Sequence, residues 1–301
     1  STIKERVEEY FPEMVEIRRD IHRHPEIGRN EVRTSALIRK KLEEYGVDAI
    51  ERPVPTAVVA LIHGARGPGR CVALRCDIDA LPVQEETGLP YTSENPGIMH
   101  ACGHDVHGTI NVGAAKILSE MKDQFSGSIY FFIQPAEEIL QGAKLFLNDP
   151  EIDFDKIDAV AALHVSAELD AGTIGVRYGA ILASADGIRI RINGKGGHGA
   201  HCHTLRDPIV ASAAVINALQ TLVSRETNPA NAVVISICTI HAGEANNIVP
   251  DSVEMTGTVR TLNPADRDRM EASVKRVAAS VAEAYRCTAE VEFSDYCPCM
   301  V

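Results

Sequence analysis

The stretch SIYFFIQPAEE, residues 128–138, is an apolar run that ends in a proline and two glutamates. A short apolar run bounded by turn-forming residues is typical of a strand that is buried on both faces of a sheet. Three similar runs, bounded by Gly, Pro or Asp, occupy residues 57–62, 71–74 and 159–163. Residues 106–121 and 138–147, which lie between the later runs, have helical spacing of their apolar residues. This alternation predicts an α/β fold with a mostly parallel sheet.

Two helices are predicted before the first of these strands. Apolar residues at helical spacing, from Val7 to Ile21, indicate an amphipathic helix that ends near His24 and Pro25. A second helix is predicted over residues 31–45 and stops at Gly46. Active sites of α/β folds lie outside the carboxyl ends of the strands, so we expect the chemistry there.

The pattern changes at about Ala183. Strands are predicted at residues 187–192, 232–241, 252–262 and 288–293, and helices at residues 207–224 and 264–285. The resulting order β-α-β-β-α-β is typical of a ferredoxin-like domain. We therefore predict one domain over residues 1–182, a second over residues 183–294, and the start of a return to the first domain over residues 295–301.

The composition excludes several classes of protein. The chain has 301 residues, 45% of them hydrophobic, and 30 Lys and Arg against 42 Asp and Glu give a net charge of −12. These values exclude a disordered chain, and the acidic excess argues against nucleic acid or an anionic membrane as a partner. No apolar stretch reaches the length of a membrane span, and the charged start is unlike a signal peptide. We expect a cytoplasmic protein whose eight cysteines are mostly free thiols.

The segment MHACGHDVH, residues 99–107, has the strongest chemical signal in the chain. Cys102 and His104 flank a single glycine, and a thiolate together with an imidazole suits Zn²⁺ or another late first-row metal. The alternative is a buried thiol beside a hydrogen-bonded core histidine. Three histidines and a cysteine within so short a segment favour the metal.

Polar residues also follow the other predicted strands. Asp77 and Asp79 come after one strand, Glu137 and Glu138 after the next, and His164 after the last. Taken singly, each has an ordinary structural explanation: a solvated turn or helix cap for the aspartates, an acidic first helical turn for the glutamates, a structural role for the histidine. Taken together they favour a site, because strand ends in one α/β sheet converge in space.

Six motifs resemble those of the M20 metallopeptidases, specifically the amidohydrolase branch that includes hippurate hydrolases and auxin-conjugate hydrolases. They are RCDIDALP (75–82), MHACGHDVH (99–107), QPAEE (134–138), LHV (163–165), GKGGHGA (194–200) and NIVPD (247–251). The resemblance covers essentially the whole chain. It implies a zinc-exopeptidase-like catalytic domain with up to two metals, and a smaller lid or dimerisation domain. It also implies hydrolysis of the amide bond of N-acyl amino acids.

The resemblance assigns roles to residues of the first predicted domain. It implies four metal ligands: Cys102, His104, Glu138 and His164. Glu137 would be the general base, taking a proton from a metal-activated water and passing it to the leaving amine. Asp79 would match the acidic residue that orients an active-site group. The metal could be Zn, Mn, Ni or Co, since such ligands accept several.

In the second predicted domain, the resemblance makes His198 an oxyanion-stabilising residue that reaches across a homodimer into the partner's site. Asn247 and Arg260 would bind the substrate's carboxylate, although a surface salt bridge explains Arg260 equally well. We expect a homodimer or higher homo-oligomer on these grounds.

Two departures from the family pattern stand out. Cys202 occupies the position between His201 and His203 where the family usually has proline. The family also continues beyond the position of Val301 with a segment that returns to the catalytic domain and supplies a last histidine ligand. The C-terminal part of that domain is therefore expected to be absent. The alternative function is a truncated, inactive metal-binding or dimerisation form.

Overall fold

The chain forms two compact units, Ser1–Gly172 and Thr173–Val301, in a computed structural model that describes residues 2–51 and 55–300. Over that described part, no helix combines the length and apolar character needed to cross a membrane.

The described residues of the first unit form one five-stranded sheet and four α-helices. The helices are α1 (Ile3–Arg23), α2 (Val32–Glu44), α3 (His104–Glu120) and α4 (Gly142–Leu147). The strands are β1 (Ala49–Glu51), β2 (Val58–His63), β3 (Cys71–Asp77), β4 (Ser128–Gln134) and β5 (Ala159–Ala162), in the order β1-β2-β4-β3-β5. The α/β class is confirmed, and all four predicted strands lie in this sheet.

The sheet is mixed, so the prediction of a mostly parallel sheet is wrong in that detail. β3 pairs in parallel with β4 and with β5, whereas β2 pairs antiparallel with β4 and with β1. The short connection between β1 and β2 explains the antiparallel pair, because a parallel pair would need a crossover of a dozen or more residues. The three parallel strands are the ones that carry the predicted site residues.

Helices α1, α2 and α3 contribute to one core against the sheet. Its fully buried side chains include Ile21 of α1, Ile38 of α2, Val112 of α3, and Phe131 and Ile133 of β4. This core fixes the start of α3 relative to the carboxyl ends of β3 and β4. It therefore also fixes the positions of the residues just before α3 and just after the two strands.

The predicted helix over residues 138–147 is shorter in the structure and begins at Gly142. The backbone turns before it, because Ala136 (φ 52°) and Leu140 (φ 56°) adopt the left-handed conformation. The amides of Gln141 and Gly142 both donate to the carbonyl of Ala136 at 3.1 Å. We call this segment, residues 135–141, the acidic turn, since it presents Glu137 and Glu138.

In the second unit, the part of the chain that the structure describes forms a four-stranded antiparallel sheet, two α-helices and a short two-stranded ladder. Its elements are β6 (Ala185–Asn193), β7 (Gly197–His198), α5 (Pro208–Ser224), β8 (Val233–His241), β9 (Ile248–Val249), β10 (Ser252–Thr261), α6 (Pro264–Ala284) and β11 (Thr288–Cys297). The large sheet has the order β11-β6-β10-β8, and β7 pairs with β9. Asp207 and Asn263 cap α5 and α6, each of which begins with a proline at its first turn.

Candidate metal centre

The carboxyl ends of β3, β4 and β5 lie at one edge of the sheet, because these neighbouring strands are parallel. Asp77 is the last residue of β3, and Asp79 follows it closely. The acidic turn continues from β4, and His164 follows the end of β5. Strand ends from three different parts of the sequence therefore deliver carboxylates and an imidazole to one edge.

A glycine allows the start of α3 to approach the residues after β5. Gly103 has φ 85°, and a Cβ atom there would lie 2.3 Å from Cγ2 of Val165. Both the backbone conformation and the close approach therefore require glycine between Cys102 and His104. As a result, the Cys102 Sγ atom lies 3.4 Å from Nε2 of His164.

His104 is at the centre of the group and is 1% exposed. Its Nδ1 atom lies 3.2 Å from Oδ1 of Asp79, so that carboxylate orients the ring. Its Nε2 atom lies 3.7 Å from Oε1 of Glu138 and 3.9 Å from Oε2 of Glu137. Neither His104 Nε2 nor Glu138 Oε1 has a hydrogen-bond partner among residues 2–51 and 55–300. Two buried polar atoms that face each other without partners fit a bound cation.

The chemistry of the surrounding donors agrees with that fit. Among residues 2–51 and 55–300, three overlapping groups have ligand atoms within 4.8 Å of one another: Cys102, His104 and His164; Asp77, His104 and His107; and His104, Glu137 and Glu138. Sulfur, imidazole nitrogen and carboxylate oxygen together suit zinc and its first-row neighbours. The residues present therefore fit a divalent metal.

Burial and the clustered carboxylates shift the pKa values of two groups in this site. Burial and the charge of Glu138 raise the pKa of the Cys102 thiol to about 12. Without a cation the sulfur is thus a protonated thiol rather than a nucleophile. Burial and the charge of Asp77 raise the pKa of Glu137 above its usual value. A carboxylate with a raised pKa is better suited to exchange protons near neutral pH.

A series of hydrogen bonds that runs from Asp77 through His107 to the backbone of Val165 positions His164. Nδ1 of His107 lies 2.6 Å from Oδ1 of Asp77, and Nε2 accepts the amide of Val165 at 3.0 Å. Nδ1 of His164 donates to the carbonyl of Val165 at 2.7 Å, which leaves its Nε2 as an acceptor toward Cys102. Burial raises the pKa of Asp77, but the hydrogen bond from His107 and the charge of Arg75 outweigh it and hold the pKa at about 2.

The predicted residues of the second unit lie on exposed positions. His198 ends β7, and its Nδ1 atom accepts the amide of Ala200 at 3.2 Å. Asn247 immediately precedes β9, the strand that pairs with β7, and its carbonyl accepts the amide of Gly199 at 2.8 Å. Arg260 lies on β10 opposite Val234.

Two further residues contact this site and carry no assigned role in the sequence motifs. His107 is one helical turn after His104. This spacing places the two histidines on one face of α3 and indicates that their side chains lie near each other. Glu31 lies at the amino end of α2 and accepts the amide of Ala136 in the acidic turn. No local pattern around Glu31 indicates this contact, which spans 105 residues of sequence.

Comparisons with known proteins agree with this geometry. The profile of peptidase family M20/M25/M40 matches residues 73–298. The N-acetylcysteine deacetylase of Bacillus subtilis is 39% identical over 290 residues, which cover 96% of this chain and 76% of that relative. The N-acyl-L-amino acid amidohydrolase of Geobacillus stearothermophilus is 39% identical over 294 residues, which cover 98% of this chain and 79% of that relative.

A solved structure supports the same relationship. The crystal structure of the Bacillus subtilis YXEP protein, described as a dinuclear metal binding peptidase from the M20 family, superposes with a TM-score of 0.84 at 37% identity. The superposition covers 97% of this chain and 76% of that one. The family match spans most of the sequence, including every strand end that carries a predicted metal ligand, and the chain therefore belongs to peptidase family M20/M25/M40.

Proposed function

We propose that this chain hydrolyses the amide bond of N-acyl amino acids in a metal-dependent reaction. The proposal rests on two buried ligand atoms, one of His104 and one of Glu138, that have no hydrogen-bond partner among the described residues and lie beside the carboxylate of Glu137. The proposed ligands are Cys102, His104, Glu138 and His164. The substrate class is supported by the names of two relatives, a deacetylase and an amidohydrolase. The alternative of an inactive form has no support from the comparisons.

When bound, a divalent cation supplies Lewis acidity, which polarises the amide carbonyl and acidifies water. Glu137 removes a proton from the water as the water oxygen bonds to the amide carbonyl carbon. It then delivers that proton to the amine nitrogen as the C–N bond breaks, which regenerates the carboxylate of Glu137 and releases the amine and the acyl acid. The raised pKa of Glu137 supports this double role. Asp79 holds the ring of His104 in place through Nδ1.

The number of metals and the roles of the domains are further parts of the proposal. We propose up to two metals, drawn from Zn, Mn, Ni and Co, because the mixed ligands suit each of them. Residues 1–182 would form the metal-binding catalytic domain and residues 183–294 the lid or dimerisation domain. Residues 295–301 would begin the segment that returns to the catalytic domain. His198 is proposed as a catalytic residue that stabilises the oxyanion, and Asn247 and Arg260 are proposed as groups that bind the substrate.

The direct test is release of a free amino acid from a panel of substrates. N-acetyl, N-benzoyl and N-indolylacetyl amino acids are incubated with the chain and an excess of Zn²⁺, Mn²⁺, Ni²⁺ or Co²⁺. We expect release from at least one substrate and its loss when a chelator removes the metal. The absence of release with every metal and every acyl group would overturn the proposal.

A further inference from the structure

The backbone on both sides of Glu137 is held by buried carboxylates from other elements. On one side, the amide of Glu138 donates to Oδ2 of Asp79 at 2.9 Å. On the other side, the amide of Ala136 donates to Oε1 of Glu31 at 2.7 Å. Asp79 and Glu31 are 1% and 0% exposed, so both contacts are shielded from water.

The contact at Ala136 lies at a strained position of the turn. Ala136 is a non-glycine residue at φ 52°, a conformation that L residues rarely adopt. It is also enclosed, since a Cβ atom at Gly28 would lie 3.2 Å from its Cα atom. Buried strain of this kind persists only where surrounding contacts fix it, and the hydrogen bond to Glu31 is one such contact.

Helix capping does not explain the burial of Glu31. It is the N-cap residue of α2, yet its side chain makes no capping hydrogen bond to that helix. Glu26 performs that task instead, because its carboxylate accepts the amides of Arg33 at 2.9 Å and Thr34 at 2.8 Å. The Oε2 atom of Glu31 is buried without a hydrogen-bond partner in the described part of the chain. A buried acid in this state is costly to stability, which indicates a role other than stability.

We propose that Glu31 is a positioning residue for the general base: by accepting the amide of Ala136 it holds the left-handed residue that aims Glu137 at the metal centre. This inference rests on the proposed function, in which Glu137 is the base. Glu31 touches neither the substrate nor the reacting atoms and acts through the backbone of the acidic turn.

Hydrogen exchange of the Ala136 amide tests the contact itself and needs no catalytic activity. In the full chain, Glu31→Ala removes the acceptor, and we expect exchange at Ala136 to accelerate at least about tenfold while Phe131 in the core of β4 stays protected. Glu31→Gln keeps an oxygen acceptor of the same reach, and we expect it to preserve protection at Ala136. If Glu31→Ala does not fold, Glu31→Asp withdraws the acceptor by one methylene group and replaces it in the comparison.

Turnover tests the consequence for catalysis. With metal and substrate saturating, we expect Glu31→Ala to lower kcat by about 10²-fold with little change in KM, because a misplacement of about 1 Å has this effect on a reacting group. Glu31→Gln should restore most of the turnover. Asp158→Ala is the matched control: it also removes a carboxylate that accepts a backbone amide, that of Cys71 at the far end of β3, so kcat should be unchanged.

Each result decides one claim. Unchanged exchange at Ala136 in Glu31→Ala, or equal losses of kcat in Glu31→Ala and Asp158→Ala, would overturn the positioning role. A wild-type chain that releases no amino acid from any substrate would overturn the proposed function, and the exchange experiment would still decide whether Glu31 holds the turn.

Discussion

Asp79 uses its two oxygens for two different tasks at the metal centre. Oδ1 faces Nδ1 of His104, and Oδ2 accepts the amide of Glu138. One carboxylate therefore orients the ring of one proposed ligand and the backbone of another. Its proximity to the site follows from its position after the central parallel strand.

We expect Asp79→Ala to weaken metal binding by about 10–100-fold, the usual effect of removing a group that orients a metal-ligating histidine. Competition with a chelator of known affinity measures the change. Asp158→Ala is the control, since Asp158 accepts the amide of Cys71 at the opposite end of β3, at 2.7 Å. Equal metal affinities in the Asp79 variant and the wild type would contradict the orienting role.

The sequence could predict the proximity of Cys102, His104, Glu138 and His164, and the structure brings these side chains together. The prediction was possible because strand ends of one sheet converge, a rule that needs only element order. The contact of Glu31 with Ala136 could not be predicted in this way. It depends on the path of a turn between two elements far apart in sequence, and no local pattern encodes it.

At the scale of elements, His22 connects α1, the start of α3 and the loop that contains Glu85. Its Nδ1 and Nε2 atoms lie 2.8 and 2.9 Å from carboxylate oxygens of Asp105 and Glu85. Because both ring nitrogens face carboxylates, both must carry protons and the ring is an imidazolium. The hydrogen bond to Asp105 raises the pKa of His22 above 6.5, more than burial lowers it.

This raised pKa gives a stability that depends on pH. Because the pKa of His22 is higher in the folded chain than in the unfolded chain, the protonated ring stabilises the fold. This stabilisation is complete below the pKa of the unfolded chain, about 6.5, and is lost as pH rises through the pKa of the folded chain. The charged groups around His22 are Asp105, Glu85 and Arg18. The Nε atom of Arg18 lies 2.8 Å from Oδ2 of Asp105, and the centre of the His100 ring lies 6.4 Å from that of His22. We therefore expect His22→Gln to destabilise the chain more at about pH 6 than at about pH 9.

Thermal unfolding midpoints of the wild type and the variant at the two pH values measure this difference. Glu85→Gln should reduce the pH dependence, because it removes one of the two carboxylates that favour the imidazolium. A His22→Gln effect of the same size at both pH values would contradict the assignment.

The limits of prediction at this scale are visible in two elements. The long helices were predictable, because their apolar periodicity and flanking Pro or Gly residues are local signals; α1, for example, ends at Arg23, just before His24 and Pro25. The start of α4 was not, because Ala136 and Leu140 turn into the left-handed conformation without a glycine to signal it. Strand direction in the first sheet was equally hidden, since an apolar run has the same pattern in either direction.

At the scale of the whole molecule, the second unit has an exposed sheet edge. β8 is an edge strand of the order β11-β6-β10-β8, and Ile240 on it is 52% exposed. Unpaired edge strands of this kind associate with other chains unless they are protected. The predicted homodimer would be formed through such an edge.

We expect light scattering of the full chain to give a dimer, and Ile240→Lys to shift it toward a monomer, because a lysine on an edge strand opposes pairing. Ile3→Lys, which places the same change on an exposed residue of α1, should leave the mass unchanged. A wild-type chain that stays monomeric at high concentration would contradict the predicted dimer.

The central claim is that a metal held by Cys102, His104, Glu138 and His164 works together with Glu137 as the base. Glu137→Gln tests it most directly, because the amide is nearly isosteric with the carboxylate but cannot accept the proton of water. Elemental analysis and turnover are measured on the same samples of wild type and variant. We predict the same metal content in both, and a loss of turnover of about 10²–10⁴-fold in the variant. A variant that keeps its metal and most of its turnover would contradict the account and place the base on another residue.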